Sequence, residues 1–359
     1  MSKKIKTISL FSSAGIGELR IPRTKFNVVL ANEILKNRAD CYKFFYPDTN
    51  MLCGDITDVC IKKGIIDIAN REQVKFLIAT PPCQGFSTLG KNKVRLHYEH
   101  DRRNFLILEV LDIINNCDFE YVLIENVPQF LDMYFPYNGE FLKIQDILTH
   151  MYGHKYIIEA RVLNAKDYGV PQSRPRAIVK LWKKHSSWPW PVEEKEITLR
   201  DAIGHLPSLD PGEDSGIPWH YAKKQNERIT LAMRHTPSGK SAIYNEVYYP
   251  KKKDGTRIKG FHNTYKRMLW DQPCPARTTY CGSISSHNNV HPGYIQSDGT
   301  YSDPRVLTLL ETFIVSSIPQ DIKFPKNSTE TFIRTVIGES IPPLLMEKIV
   351  SLIGKEGTE

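Results

Sequence analysis

Four side chains sit at spacings that suit chemistry better than core packing. Cys83 lies in Pro81-Pro82-Cys83-Gln84-Gly85-Phe86-Ser87, directly behind the apolar run Lys75-Phe76-Leu77-Ile78-Ala79. Two prolines fix their own φ and hold the residues before them extended, so the thiol is presented at a strand end and not packed into a helix. Glu125 closes a second apolar run, Tyr121-Val122-Leu123-Ile124-Glu125-Asn126-Val127. A carboxyl buried at such an edge holds its proton more tightly and can donate it. In Pro171-Gln172-Ser173-Arg174-Pro175-Arg176, alternation along an extended segment puts two guanidiniums on one face, in a fork geometry that suits phosphate, carboxylate or carbonyl. Taken singly, each has a plainer reading: a buried small thiol, an ion-paired glutamate, solvated arginines.

The elements that must position these groups read as a doubly wound α/β sheet. Strands are expected at Thr7–Phe11, Asn27–Ala31, Phe76–Ala79, Tyr121–Ile124, Tyr156–Leu163 and Ala177–Leu181. Glu33–Phe45, Asn104–Asn116 and Phe141–Met151 carry helical apolar spacing between them. Open sheets of this class bind ligands at the carboxyl ends of their strands, which is where Cys83 and Glu125 fall. The first strand runs into the small-residue turn Ser12-Ser13-Ala14-Gly15-Ile16-Gly17-Glu18, which lets a ligand approach the backbone.

Composition sets the wider frame. The chain has 359 residues, enough for one large domain and a smaller one. Its net charge of +8 suits a polyanionic partner. Seven scattered cysteines without framework spacing read as reduced thiols. Cys274, Cys281, His287 and His291 are too widely spaced for a usual zinc knuckle, so no metal site is expected. With neither a signal-peptide core nor an apolar run long enough to cross a bilayer, a soluble cytoplasmic protein is expected. Composition shifts at Ser187-Trp188-Pro189-Trp190-Pro191, and between Trp219 and Arg267 basic residues interleaved with tyrosines far outnumber acidic ones. That pattern is a nucleic-acid footprint, in which Lys251, Lys252, Lys253 and Arg267 are the candidate nucleic-acid contacts. The expected division is 1–190, 191–304 and a return segment, 305–359, that completes the first domain.

Together these motifs, in this order, resemble the cytosine-5 DNA methyltransferases of bacterial restriction–modification systems, over Thr7 to about Ile353. The resemblance implies a Rossmann-like S-adenosylmethionine-dependent catalytic domain and, at 191–304, an irregular target-recognition domain. It implies that Cys83 adds to C6 of a flipped-out cytosine, that Glu125 binds and protonates N3, and that Arg174 and Arg176 contact the base and support the glutamate. Phe11, Ala14, Gly15, Glu33, Asp55, Ile56, Pro81, Leu106, Glu339 and Ser340 match the cofactor contacts. Ser87 falls in the loop, Gly85 to about His100, that would close over DNA. The implied partners are double-stranded DNA and a separately acting restriction endonuclease, with the enzyme monomeric and nucleoid-associated. The chain departs from the family at Ser13, Ile16, Leu310 and Glu339. Two other readings are a tRNA cytosine-5 methyltransferase, against which the absence of a Cys-Phe-Thr tripeptide counts, and a non-catalytic DNA-binding homologue.

Overall fold

The computed structural model describes residues 4–82 and 102–356. The strands in chain order are β1 (Ile5–Leu10), β2 (Phe26–Glu33), β3 (Asn50–Cys53), β4 (Phe76–Ala79), β5 (Tyr121–Asn126), β6 (Tyr134–Tyr137), β7 (Glu140–Lys143), β8 (Tyr156–Asn164), β9 (Gln172–Ser173), β10 (Pro175–Lys183) and β11 (Cys274–Pro275). The helices are α1 (Lys36–Phe45), α2 (Val59–Arg71), α3 (Ile107–Asn116), α4 (Ile144–Tyr152), α5 (Leu199–Ile203), α6 (Glu227–Arg234), α7 (Leu309–Val315), α8 (Glu330–Glu339) and α9 (Pro343–Val350).

The chain forms two compact units, one of residues 1–164, 175–192 and 346–359, the other of residues 165–174 and 193–345. The first unit holds a seven-stranded sheet in the order β3-β2-β1-β4-β5-β10-β8. The first five strands run parallel, and β10 runs antiparallel to both β5 and β8. The sheet is therefore mixed. The stretch between β8 and β10 is too short for a crossover helix, so the chain returns antiparallel. Strands β4 and β5 are buried along their whole length, as continuous apolar runs must be when both faces are covered. Val110, Ile113 and Ile114 of α3 and Ile144, Ile147 and Leu148 of α4 pack into the same core as Leu77, Val122 and Val179. Helix α2 starts at Asp58, whose carboxylate accepts from the amides of Cys60 and Ile61.

The second unit is built of short helices and isolated bridges around small apolar clusters, one holding Leu199, Ile203 and Met268 and another Met233, Ile243 and Val290. The sequence reading returns the chain to the first domain at residue 305, whereas residues 305–345 cluster with the second unit. Leu307 and Val315 share an apolar core with Leu199, Ile203, Met268 and Trp270, which holds that segment there. Within this unit Arg305 lies 2.7 Å from both Asp303 and Glu311, all three buried. Among the described residues no helix is long and apolar enough to cross a membrane.

Candidate active site

Three strand ends are tied together at the carboxyl edge of the sheet. Ala79 of β4 is in register with Leu10 of β1 on one side and Ile124 of β5 on the other. Past the strand, the Thr80 hydroxyl donates to the Phe11 carbonyl at 3.1 Å, and the Asn126 side-chain amide donates to the Pro81 carbonyl at 3.0 Å. The backbone is thus pinned two residues before Cys83. Cys83, Ser87 and the loop expected at Gly85–His100 fall outside the described residues.

Glu125 is 7% exposed, and its Oε1 lies 2.9 Å from Nε of Arg176. The pairing follows from register, because β10 runs beside β5 with Ile178 opposite Glu125. Burial pulls the Arg176 guanidinium below its ordinary range, and the Glu125 charge opposes that shift. A carboxyl fixed in orientation at a sheet edge has the geometry of a proton donor or acceptor for a bound ring nitrogen.

Arg174 has a different set of partners. It is 3% exposed and donates at 2.7 Å to the carbonyls of Arg277 and Gly338, both within the second unit. Gln172 acts beside it, donating to the Ser316 hydroxyl at 3.1 Å and accepting from the Arg277 amide. The two arginines that alternation placed on one face thus hold different things, Arg176 a carboxylate and Arg174 two backbone carbonyls. Asn126, Gln172 and Arg277 are positioning residues to which the sequence reading assigned no role. Their signal was only their place inside or beside the motifs.

The turn after β1 is contorted in the way a ligand-binding backbone needs. Phe11, Ser13 and Gly15 all have positive φ, at 57°, 46° and 75°. Glu33, at the end of β2, accepts from the Ser13 amide at 3.0 Å and from the Leu35 amide at 2.8 Å. Those bonds occupy two of the ~four acceptor positions of a carboxylate, leaving capacity for a diol. Ala14 and Ile56 are buried, Asp55 is exposed at the end of β3, and Leu106 is half-buried just before α3. Glu339 ends α8 and Ser340 caps it, both in the second unit.

Arg267 requires a correction. Its guanidinium is fully buried and donates to the carbonyls of Met233 at 2.9 Å, His291 at 2.8 Å and Asp303 at 3.1 Å. Burial pushes its pKa down to about 9. It organises the interior of the second unit and is not available to DNA. Lys252 and Lys253 are exposed and Lys251 partly so, on a turn closed by the Lys252 amide bonding to Thr256 at 2.8 Å. Arg257 braces that turn, stacking 3.7 Å over Tyr249 and donating to the Asn245 carbonyl at 2.9 Å. Among the described residues no three His, Cys, Asp or Glu side chains are grouped to hold a metal ion.

A mostly parallel sheet with a distorted turn after β1, an acidic residue ending β2 and an antiparallel β10 defines an α/β S-adenosylmethionine-dependent methyltransferase. Within that class the chain belongs to the C-5 cytosine-specific DNA methylase family, whose model matches residues 5–355. It is 44% identical to Type II methyltransferase M1.HgaI of Avibacterium volantium over 99% of this chain and 100% of that one. It is 29% identical to Type II methyltransferase M1.HphI of Haemophilus parahaemolyticus, over 98% of this chain and 87% of that one. Among solved structures, the Entamoeba histolytica methyltransferase EhMeth shares the fold with a TM-score of 0.65 at 15% identity, covering 98% of each chain. The protein is thus a DNA (cytosine-5-)-methyltransferase that uses S-adenosylmethionine.

Proposed function

We propose that Cys83 is the nucleophile and Glu125 the proton donor of this methyltransferase, acting on a cytosine rotated out of the duplex within one short DNA sequence. C5 of cytosine is a poor nucleophile. Addition of the Cys83 thiolate to C6, with Glu125 placing a proton on N3, sends the electron pair to C5 as an enamine. S-adenosylmethionine, when bound, supplies an electrophilic methyl group. C5 would take that methyl as the S–CH3 bond breaks and a neutral thioether leaves; loss of the C5 proton to a base, return of the N3 proton to Glu125 and departure of the Cys83 sulfur as thiolate then restore the aromatic ring. A stacked base offers no approach to C6, so the base is flipped at a cost of ~a few kcal/mol. Arg176 holds the Glu125 carboxylate in place, while Glu33, Asp55, Ile56 and the turn at Phe11–Gly15 hold the cofactor.

The observation that supports this most is the bond from Asn126 to the Pro81 carbonyl beside the Glu125–Arg176 pair. It brings the start of the cysteine segment to the strand end that carries the acid. The basic segment within 191–304 is read as the target-recognition region, where Lys251, Lys252 and Lys253 contact phosphates. The cellular role is protection of host DNA alongside a separately acting endonuclease, with the enzyme working as a monomer at the nucleoid.

The test is transfer of labelled methyl to unmethylated genomic DNA and, in parallel, to bulk tRNA, with modified cytosines mapped and Cys83→Ala as control. Label at C5 within one short DNA sequence, lost in Cys83→Ala while DNA and cofactor still bind, is the expected result. Turnover of Cys83→Ala near the parent level would remove Cys83 from its role, and label in tRNA alone would overturn the DNA reading.

A further inference from the structure

Beneath the turn that follows β1 lies a carboxyl group with no place in the chemistry above. Glu18 is 6% exposed and sits at the end of the short helical turn Ile16–Glu18. One of its oxygens accepts from the Ser9 hydroxyl on β1, and the other accepts from the Tyr42 hydroxyl on α1 at 2.6 Å. Its own amide donates to the Gly15 carbonyl at 3.1 Å, and the Tyr46 hydroxyl donates to the same carbonyl at 2.8 Å. The network therefore joins β1, the turn and α1 around one backbone atom.

The fit is close. A Cβ added at Gly15 would stand 2.5 Å from Cε2 of Tyr46 and 2.8 Å from Cδ2 of Tyr42, and the φ of 75° there already disfavours other residues. The two tyrosine rings pack against each other in a tilted pair, 37° between planes and 4.6 Å between centroids, behind the turn. An apolar side chain at position 18 would avoid the penalty of burying a carboxyl, so the acid has a use that outweighs that penalty.

We propose that Glu18 is a positioning residue that, through Ser9, Tyr42 and the Gly15 carbonyl, sets the shape of the Ser12–Gly17 turn and with it the affinity for S-adenosylmethionine. If the cofactor sits at this turn, as proposed above, the carboxyl acts from behind the backbone and touches no part of the ligand. Among the groups facing it, the Tyr42 and Tyr46 phenols are pushed well above their ordinary range by burial, as is the Cys41 thiol, to about 12. Arg23, over the Tyr46 ring at 5.2 Å, is exposed and cationic. Glu18 is then the group that titrates near neutrality, since burial raises it to about 7 against the opposing bonds from Ser9 and Tyr42. Its ionisation places a buried negative charge under the turn, so cofactor binding weakens as pH rises through that value.

The test is calorimetric binding of S-adenosylmethionine to the full-length protein between pH 5.5 and 8.5. Glu18→Gln, neutral and nearly isosteric, is expected to bind like the parent at low pH and to lose the pH dependence. Glu18→Ala is expected to weaken binding about tenfold or more, the scale of a lost buried hydrogen bond. Tyr42→Phe, which removes one hydroxyl and keeps the ring, is expected to weaken it by a smaller factor and serves if Glu18→Ala fails to fold. Unchanged affinity in Glu18→Ala or Tyr42→Phe, with only the melting temperature lowered, would reduce the network to ordinary core and overturn the proposal, as would a parent pH profile retained in Glu18→Gln. Glu33→Ala separates the two readings. If it abolishes binding while the Glu18 variants do nothing, only the positioning role fails; if it too binds normally, the cofactor placement fails with it.

Discussion

Nε of Arg176 lies 2.9 Å from Oε1 of Glu125, on neighbouring antiparallel strands, with 14% and 9% of the two side chains exposed. Neither charge has much water to turn to. Removal of one partner therefore leaves the other buried without its opposite charge, which costs about 3–5 kcal/mol. Arg176→Ala is expected to lower the denaturant midpoint accordingly and to reduce single-turnover methylation. Arg176→Lys should recover part of the stability but less of the rate, because a point charge does not orient a carboxylate as a planar fork does. Equal recovery of both would show that charge alone matters.

Glu125→Gln isolates the proton. The amide keeps the shape but cannot donate a proton to N3, so the methyl-transfer rate should fall about 10²–10⁴-fold. Cofactor and DNA affinities, measured by calorimetry and gel shift, should stay within a few-fold of the parent.

Replacement of Lys251, Lys252 and Lys253 by alanine should weaken binding to every DNA sequence alike and flatten the plot of log affinity against log salt by roughly 2 to 3 in slope. Titrations on specific and nonspecific duplexes at several salt concentrations decide this. If affinity falls for one sequence only, the lysines read bases.

Arg267 predicts a different phenotype. Arg267→Met strips donors from the carbonyls of Met233, His291 and Asp303, which belong to buried residues, so the loss appears in thermal stability. A drop of several degrees in melting temperature is expected, with the salt slope of DNA binding unchanged in the folded fraction.

Lys180 offers a pH test of the sheet itself. It is fully buried on β10, donates to the Trp188 carbonyl at 2.5 Å, and lies 3.8 Å from the Trp190 ring centroid. Burial pushes its ammonium down to about 7 from 10.5, while Glu159 opposes the shift. Between those two values the unfolded chain binds the proton that the folded chain has released, so Lys180's contribution to stability rises with pH across that window. Lys180→Met should lack that component, which unfolding curves at pH 7 and pH 10 would reveal by comparison with the parent.

Local features made the motifs and much of the first unit's fold legible from the sequence alone. A Pro-Pro turn behind an apolar run, a glutamate closing another run, and the spacing of helical apolar residues are decided within a few residues, and β1, β2, β4, β5, β8 and β10 stand within a few residues of their expected places. Weaker local signals were lost: β3 is short and half-exposed, and in the hairpin of β6 and β7, with Tyr134 and Phe141 exposed, the strand β7 takes up the start of the helical stretch expected at Phe141–Met151. What only the tertiary structure decided is which partner each charge meets. Arg174 and Arg176 look equivalent along the chain, yet the register of β10 against β5 gives Arg176 to Glu125 while Arg174 serves two distant carbonyls. Arg267 sits in a basic segment that reads as surface, and it is buried because carbonyls from positions 233, 291 and 303 converge on it. Hydrogen bonds and burial between residues far apart in sequence depend on the folded path, and no local pattern of residue types encodes that path.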